Sequence, residues 1–267
     1  MIRIIVIGAA GRMGKTIVSC ITDTAGVEVA AGTEVPGSPV IGADAGALAG
    51  VGDIGAKVFD RLEDALADAD AIIDFSSPEA SMATVRVAAE ASLALVLGTT
   101  GFSAGQLEEI KSLASSFRCV MAPNMSIGVN VLFKVVEDVA GILGDAYDVE
   151  IVEAHHKFKK DAPSGTAVRI SEIVARALGR DLEKVGVYGR RGLAERGKFD
   201  IGVHTVRAGD IVGEHRVMFG GMGETLEIFH RAQSRETFAR GAVRAAQWAV
   251  GHSNGLYDMQ DVLGLRG

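Results

Sequence analysis

The first 125 residues alternate short, unbroken apolar runs with stretches of helical periodicity, and that alternation leaves few folds open. The apolar runs fall at 2–7, 27–33, 56–59, 71–75, 93–97 and 117–121. Between the first two, residues 12–24 place Met13, Ile17, Cys20 and Ile21 on one helical face. Ser77-Pro78 opens an alanine- and valine-rich helix to about 91, and 106–115 reads as another. Strands without polar alternation must be covered on both faces. With helices between them, they imply an α/β, Rossmann-like, doubly wound parallel sheet. Such sheets bind ligands at the carboxyl ends of their strands.

From about 126 the pattern changes. A helix over 127–143 leads to a strand at 148–154, a loop, and a helix at 164–178. Runs at 201–207, 211–219 and 224–231 are joined by Ala208-Gly209-Asp210 and Gly220-Gly221-Met222-Gly223, which predicts antiparallel hairpins. The expectation is a C-terminal α+β domain with an open, largely antiparallel sheet. A last helix near 235–250 has Ser234 as its expected N-cap. The predicted boundaries are 1–125 for the first domain, completed by 236–267, and 126–235 for the second.

Composition narrows the function. Glycine supplies 34 of 267 residues, against a usual share of about 7%, so many glycines must be positional. Five prolines and 48% apolar residues exclude a disordered or collagen-like chain. A net charge of −7 argues against nucleic acid and anionic membranes as partners. The two cysteines, Cys20 and Cys119, sit in apolar runs and cannot form a disulfide framework or a cysteine-rich metal site. No signal-peptide pattern and no run of about 18 apolar residues is present, so the expected location is the cytoplasm.

The first chemical signal is Gly8-Ala9-Ala10-Gly11-Arg12-Met13-Gly14, between the first strand and first helix. Glycines there permit a tight turn and close backbone approach to a pyrophosphate at a helix N-terminus. The spacing is G-x-x-G-x-x-G rather than the usual G-x-G-x-x-G, so context carries the reading. Glu34 closes the second strand, 26 residues beyond Gly8, where a carboxylate can bind a ribose diol. Three further strand ends lie on the same edge: Asp74 to Ser77, Gly98-Thr99-Thr100-Gly101, and Ala122-Pro123-Asn124-Met125.

The second signal is the densest polar cluster. Residues 153–167 read Glu-Ala-His-His-Lys-Phe-Lys-Lys-Asp-Ala-Pro-Ser-Gly-Thr-Ala. Ser164 can cap the helix that follows, leaving the amides near Gly165 and Thr166 as an anion site. A histidine beside such a site can donate a proton near neutral pH, and a lysine can neutralise a carboxylate. A metal site is a poorer fit: H-E-x-x-H is absent, and adjacent histidines on an extended segment point to opposite faces. The competing reading is a solvated basic loop ahead of a capped helix.

This cluster resembles the signature of the dihydrodipicolinate reductase family, also named 4-hydroxy-tetrahydrodipicolinate reductases, of bacterial lysine and diaminopimelate synthesis. The likeness runs the length of the chain. It takes in Gly8–Met13, Gly98–Gly101, Asn124 to Asn130, Arg207-Ala-Gly-Asp-Ile-Val-Gly-Glu-His215, and the ending Gly255-Leu-Tyr-Asp-Met-Gln-Asp-Val-Leu263. The resemblance implies a small cyclic imine with two carboxylates as substrate. A nicotinamide cofactor would deliver a hydride to it, and an enzyme acid would protonate the adjacent carbon. It implies His155 as proton donor and Lys159 as the essential lysine beside the substrate. It implies substrate binding at His156, Ser164, Gly165 and Thr166. It implies cofactor binding at Gly8, Ala9, Ala10, Gly11, Arg12, Met13, Glu34, Gly98, Thr99, Thr100, Ala122, Pro123, Asn124 and Met125. It also implies a homotetramer built through the open sheets, and no metal.

Some family members carry an arginine after the ribose-binding acid, suited to the 2′-phosphate of NADPH. Here Val35 stands there, which predicts a lean towards NADH, with Arg12 or Lys15 as substitute cations for NADPH. Three rival classes fare worse. A short-chain dehydrogenase needs Tyr-x-x-x-Lys, but Ile151, Gly192 and Asp261 follow the three tyrosines at that spacing. A nucleotide-binding sensor without catalysis has no use for the paired His155 and Lys159. A thiol-nucleophile dehydrogenase needs a loop cysteine, whereas Cys119 is expected mid-strand.

Overall fold

The computed structural model describes residues 1–266. The chain forms two compact units, one of residues 1–127 with the segment from Arg235 onward, the other Gly128–Ser234. The first runs through β1 (Ile2–Ile7), α1 (Arg12–Thr22), β2 (Val27–Thr33), α2 (Ala45–Ala49), β3 (Val58–Phe59), β4 (Ala71–Asp74), α3 (Pro78–Glu90), β5 (Ala94–Leu97), α4 (Ala104–Leu113) and β6 (Arg118–Met121). Next come α5 (Ile127–Leu143), β7 (Asp148–His155), α6 (Gly165–Ala177), α7 (Leu182–Val185), β8 (Gly186–Tyr188), β9 (Ile201–Arg207), β10 (Gly213–Gly221) and β11 (Glu224–Ala232). The chain then returns to the first unit with α8 (Glu236–Val250), β12 (Gly255–Tyr257) and α9 (Met259–Val262).

In the first unit seven strands pair in parallel in the order β12-β6-β5-β4-β1-β2-β3. Both faces are covered, which is why these strands carry almost no polar residues. Ile4, Val6, Ile73 and Val96 pack with Ile17 and Val18 of α1 and with Ala242, Ala245 and Ala249 of α8. Ile5, Ile72, Leu95 and Leu97 pack on the opposite side with Val85 of α3 and Ile110 of α4. Each fully buried Ile, Leu or Val contributes about 1.5–3 kcal/mol. Local signals set the helix starts. Ser77 Oγ accepts from the Ala80 amide with Pro78 at the first helical position, and Ser103 with Gln106 forms a reciprocal capping box. β1 lies between β2 and β4, so the topology reverses beside the loop that follows it.

The second unit carries a five-stranded open sheet in the order β11-β10-β7-β9-β8. Strand sense is mixed: β10 pairs antiparallel with β11 and β7, while β7–β9 and β8–β9 are parallel. Only one of the two expected hairpins forms. β10 and β11 pair through the turn at Gly221–Glu224, where Gly223 takes φ +94°. β9 and β10 do not pair, because β7 lies between them. Their link crosses the end of β7, with the Ala208 amide donating to the His155 carbonyl at 3.0 Å and the Lys157 amide to the Gly209 carbonyl at 3.2 Å. A short connection can thus step over a strand when that strand's terminus satisfies its backbone groups. Val149, Ile151, Val203, Val217 and Phe219 bury one sheet face against α5 and α6.

One capping expectation is corrected. α8 starts at Glu236 with Arg235, not Ser234, in the cap position, and the Arg235 side chain makes no capping hydrogen bond. Among the described residues no helix is long and apolar enough to cross a membrane.

Candidate functional site

In the first unit the candidate residues line the carboxyl edge of the parallel sheet. Gly8 ends β1 with φ +65°, and a side chain there would meet nothing within 4 Å. The Gly11 amide donates to the Gly8 carbonyl at 2.9 Å, closing the turn ahead of α1. Gly14 has no space for more: an added Cβ would lie 2.0 Å from the Gly8 carbonyl oxygen. Backbone amides at the start of α1 are therefore held in a tight, side-chain-free turn, a cradle suited to phosphate oxygens. The Glu34 carboxylate reaches back from the end of β2 and accepts the Ala10 amide at 2.9 Å. Val35, beside it, is 69% exposed, so no cation stands next to that carboxylate in sequence.

The other strand ends share this edge. Gly98 is obligatory, since a Cβ would fall 2.3 Å from the Phe75 ring. Thr99 is buried and accepts from Ser81 Oγ at 2.8 Å, while Thr100 is exposed. Asp74 is fully buried and takes the Ser76 amide and hydroxyl on Oδ1. The Asn124 side chain accepts the Ser126 amide at 2.9 Å, a local turn that orders Ala122–Met125. Ala122 and Met125 are buried, and α8 packs closely on them: a Cβ at Gly241 would lie 1.8 Å from the Met125 carbonyl oxygen.

The second unit gathers the polar cluster at the end of β7. His155 is its last residue, and the loop beyond carries His156, Lys159 and Asp161. Lys159 Nζ lies 2.9 Å from Asp161 Oδ2. Ser164 caps α6, its hydroxyl accepting the Ala167 amide at 3.2 Å. Gly165 is exposed with open space around its Cα, and Thr166 follows, half-buried. His156 keeps a buried Nδ1 without a partner, and its ring leans on Phe158 at 6.3 Å.

Four residues that sequence reasoning gave no role tie this cluster together. Glu153 is fully buried, and its Oε2 accepts His155 Nδ1 at 2.6 Å and Arg207 Nη1 at 2.9 Å. Its Oε1 accepts the Ser164 amide at 3.0 Å, Thr205 Oγ1 at 3.1 Å and Arg207 Nη2 at 2.8 Å. Burial alone would raise this carboxyl's pKa, but donors from His155, Arg207 and the Ser164 amide prevail and hold it at about 2. His215 lies opposite Glu153 in the β7–β10 register, and its Nε2 is 3.1 Å from Ser164 Oγ. Burial, then the neighbouring His155, push its pKa down to about 3, so it is neutral near pH 7. The sequence signal was available: Glu153 and His215 are polar residues in the buried phase of their strands, on the same face as Ile151 and Val217.

Both cysteines are buried thiols. Burial pushes Cys119, within β6, up to about 12 and also raises Cys20, which leaves neither fit to be a nucleophile at neutral pH. Among the described residues no group of three or more His, Cys, Asp or Glu is placed to hold a metal ion.

Comparison with known proteins agrees across the chain. Residues 2–125 match the family model described as dihydrodipicolinate reductase, N-terminus, and 128–263 match dihydrodipicolinate reductase, C-terminus. The 4-hydroxy-tetrahydrodipicolinate reductase of Geotalea daltonii is 52% identical over the full length of both chains. The protein of that name from Geotalea uraniireducens is 53% identical, again over both full lengths. Among solved structures, a dipicolinate-bound dihydrodipicolinate reductase from Paenisporosarcina sp. TG-14 superposes with a TM-score of 0.77 at 24% identity, covering 98% of each chain.

Proposed function

The chain belongs to the dihydrodipicolinate reductase family, and from that premise we propose how its residues divide the work. The reaction is reduction of (S)-4-hydroxy-2,3,4,5-tetrahydrodipicolinate to tetrahydrodipicolinate with NAD(P)H, a step of diaminopimelate and lysine biosynthesis. The observation that carries this is the match of both domain models, in order, with full-length relatives above half identity.

The bound reduced nicotinamide supplies the hydride. The protein's part is positioning and charge. The turn from Gly8 to Met13 brings the pyrophosphate against the N-terminal end of α1, Glu34 takes the ribose hydroxyls, and Gly98 to Thr100 with Ala122 to Met125 line the nicotinamide side. Position 35, directly after Glu34, is Val rather than a basic residue, and this supports a preference for NADH, with Arg12 and Lys15 left as the cations that could meet a 2′-phosphate. We assign this nucleotide domain to 1–125, completed by 236–267, and substrate binding with oligomerisation to 126–235.

On the second unit, the amides of Gly165 and Thr166 at the Ser164-capped start of α6 take a substrate carboxylate, with His156 beside them. His155 donates the proton, and Lys159 neutralises the dicarboxylate near it. Exposed apolar side chains on the open sheet, Leu226 and Phe229 of β11 among them, support a homotetramer formed through this unit. The two buried, unpaired thiols suit a cytoplasmic location.

The test is oxidation of NADH and NADPH driven by freshly made substrate. His155→Ala and Lys159→Ala should each lower kcat by about 10²–10⁴-fold. Affinity for the reduced nucleotide should stay near the wild-type value. Wild-type turnover in both variants sinks the catalytic assignment, and a higher kcat/KM with NADPH sinks the cofactor preference.

A further inference from the structure

We propose that Glu153 is a positioning residue for the proton donor. Its carboxylate holds His155 as the Nδ1–H tautomer, so that Nε2 is the ring atom through which the proton passes. The inference rests on the assignment of His155 as that donor.

Donor and acceptor chemistry fixes the tautomer. An ionised carboxylate accepts and cannot donate. Glu153 is fully buried and receives five contacts from N–H and O–H groups, shared over its two oxygens. Arg207 binds both oxygens and neutralises the charge, which allows a carboxylate to persist at this depth. Facing that carboxylate at 2.6 Å, His155 Nδ1 must carry a hydrogen. Nε2 is then the basic atom of the neutral ring. The far edge of the ring also has room: a Cβ at Gly213 would lie 3.1 Å from Nε2, so the glycine keeps that edge from being crowded. A third group that orients a proton-transferring histidine is a recurrent device, because the wrong tautomer turns the reactive nitrogen into a blocked one.

The second arm of Glu153 gives the arrangement its purpose. Oε1 takes the amide of Ser164, the residue that caps α6. One side chain therefore fixes both the proton donor and the start of the helix whose amides take the substrate carboxylate. Arg207 extends the hold to the loop bearing Lys159, donating to the Asp161 carbonyl at 2.5 Å. Glu153→Gln removes the charge and one acceptor. Its single carbonyl oxygen is wanted by Ser164, Thr205 and Arg207, which leaves the NH₂ group facing His155 and drives the ring to the Nε2–H tautomer.

Two experiments test this. In a double-mutant cycle on the full chain, Glu153→Gln should lower kcat about 10²-fold or more with wild-type His155. Added to His155→Ala, it should cost less than about threefold, since the group it positions is gone. KM and nucleotide affinity should move far less than kcat. An equal loss of kcat in both backgrounds means that Glu153 only supports the fold, and no loss in either overturns the proposal outright. Full turnover by His155→Ala alone fails the proton-donor reading instead, and this role with it. The second experiment needs no variant: ¹⁵N spectra of the wild-type protein with labelled histidine, at a pH where the rings are neutral. They should show His155 protonated at Nδ1, and an Nε2–H ring there would refute the assignment even if Glu153→Gln does not fold.

Discussion

Gly14 and Glu153 stand for two ways of making a binding site. The first unit shapes its edge with backbone. Its glycines fold the chain into a tight turn ahead of α1, and Gly14 and Gly98 themselves have no room for a methyl group. The second unit shapes its site with side chains from strands distant in sequence, joined through one buried carboxylate. A backbone site is sensitive to added atoms and largely indifferent to pH. A buried polar network should respond the other way, to lost charge and to acid.

The largest expected contrast is therefore with pH. The folded state holds His215 near 3 against 6.5 for the free side chain, so the unfolded chain binds that proton first. Stability from neutral His215 is complete above pH 6.5 and is lost as pH falls towards 3. Glu153, at about 2 against 4.5, adds a second loss that begins only below pH 4.5. Together they are worth on the order of several kcal/mol by pH 3. The groups facing His215 are His155, Glu153, His230 and Lys159, and desolvation outweighs them all. Thermal unfolding should show a falling Tm from pH 6.5 to 4.5, and His215→Gln should flatten that stretch. Parallel curves for the two proteins would remove His215 from the explanation.

Gly14→Ala comes next. Its methyl group would press on the Gly8 carbonyl, forcing a shift that costs about 1–3 kcal/mol. Reduced-nucleotide affinity, read by fluorescence titration, should fall more than about tenfold, each tenfold being about 1.4 kcal/mol. The ¹⁵N histidine signals of the second unit should not move. Unchanged affinity would show that the loop can open without loss. Smallest is Val35→Arg, which places a cation beside Glu34 without entering the core, since Val35 is 69% exposed. It should raise kcat/KM for NADPH relative to NADH by about tenfold, the value of one well-placed charged hydrogen bond. No change in that ratio would mean that position 35 does not face the 2′-hydroxyl.

Legibility in the sequence follows the same division. The parallel sheet could be read because strands covered on both faces are continuous apolar runs, and the turns and helix starts along its carboxyl edge because glycines and helix caps are local signals. Glu34 was singled out by its spacing alone, and its carboxylate does turn back to the loop after β1, where it accepts the Ala10 amide. The buried partners of His155 were not, because register places them: Thr205 sits opposite Glu153 across 52 residues, and His215 opposite it on the other side. No local pattern reports such pairings. The hairpin expected between 201–207 and 211–219 failed for a related reason. Link length limits how far apart two strands can be, but does not forbid a third between them.

The return of the chain to the first unit at Arg235 also bears on synthesis. Ala242, Ala245 and Ala249 of α8 help cover one face of a sheet whose strands β1 to β6 leave the ribosome far earlier. The intervening unit, 128 to 234, is 107 residues, or roughly 5–20 s of translation at about 5–20 residues per second. Through that interval the part of the first unit already made lacks the cover that α8 gives its sheet. The inserted unit, which has a core of its own, can collapse first.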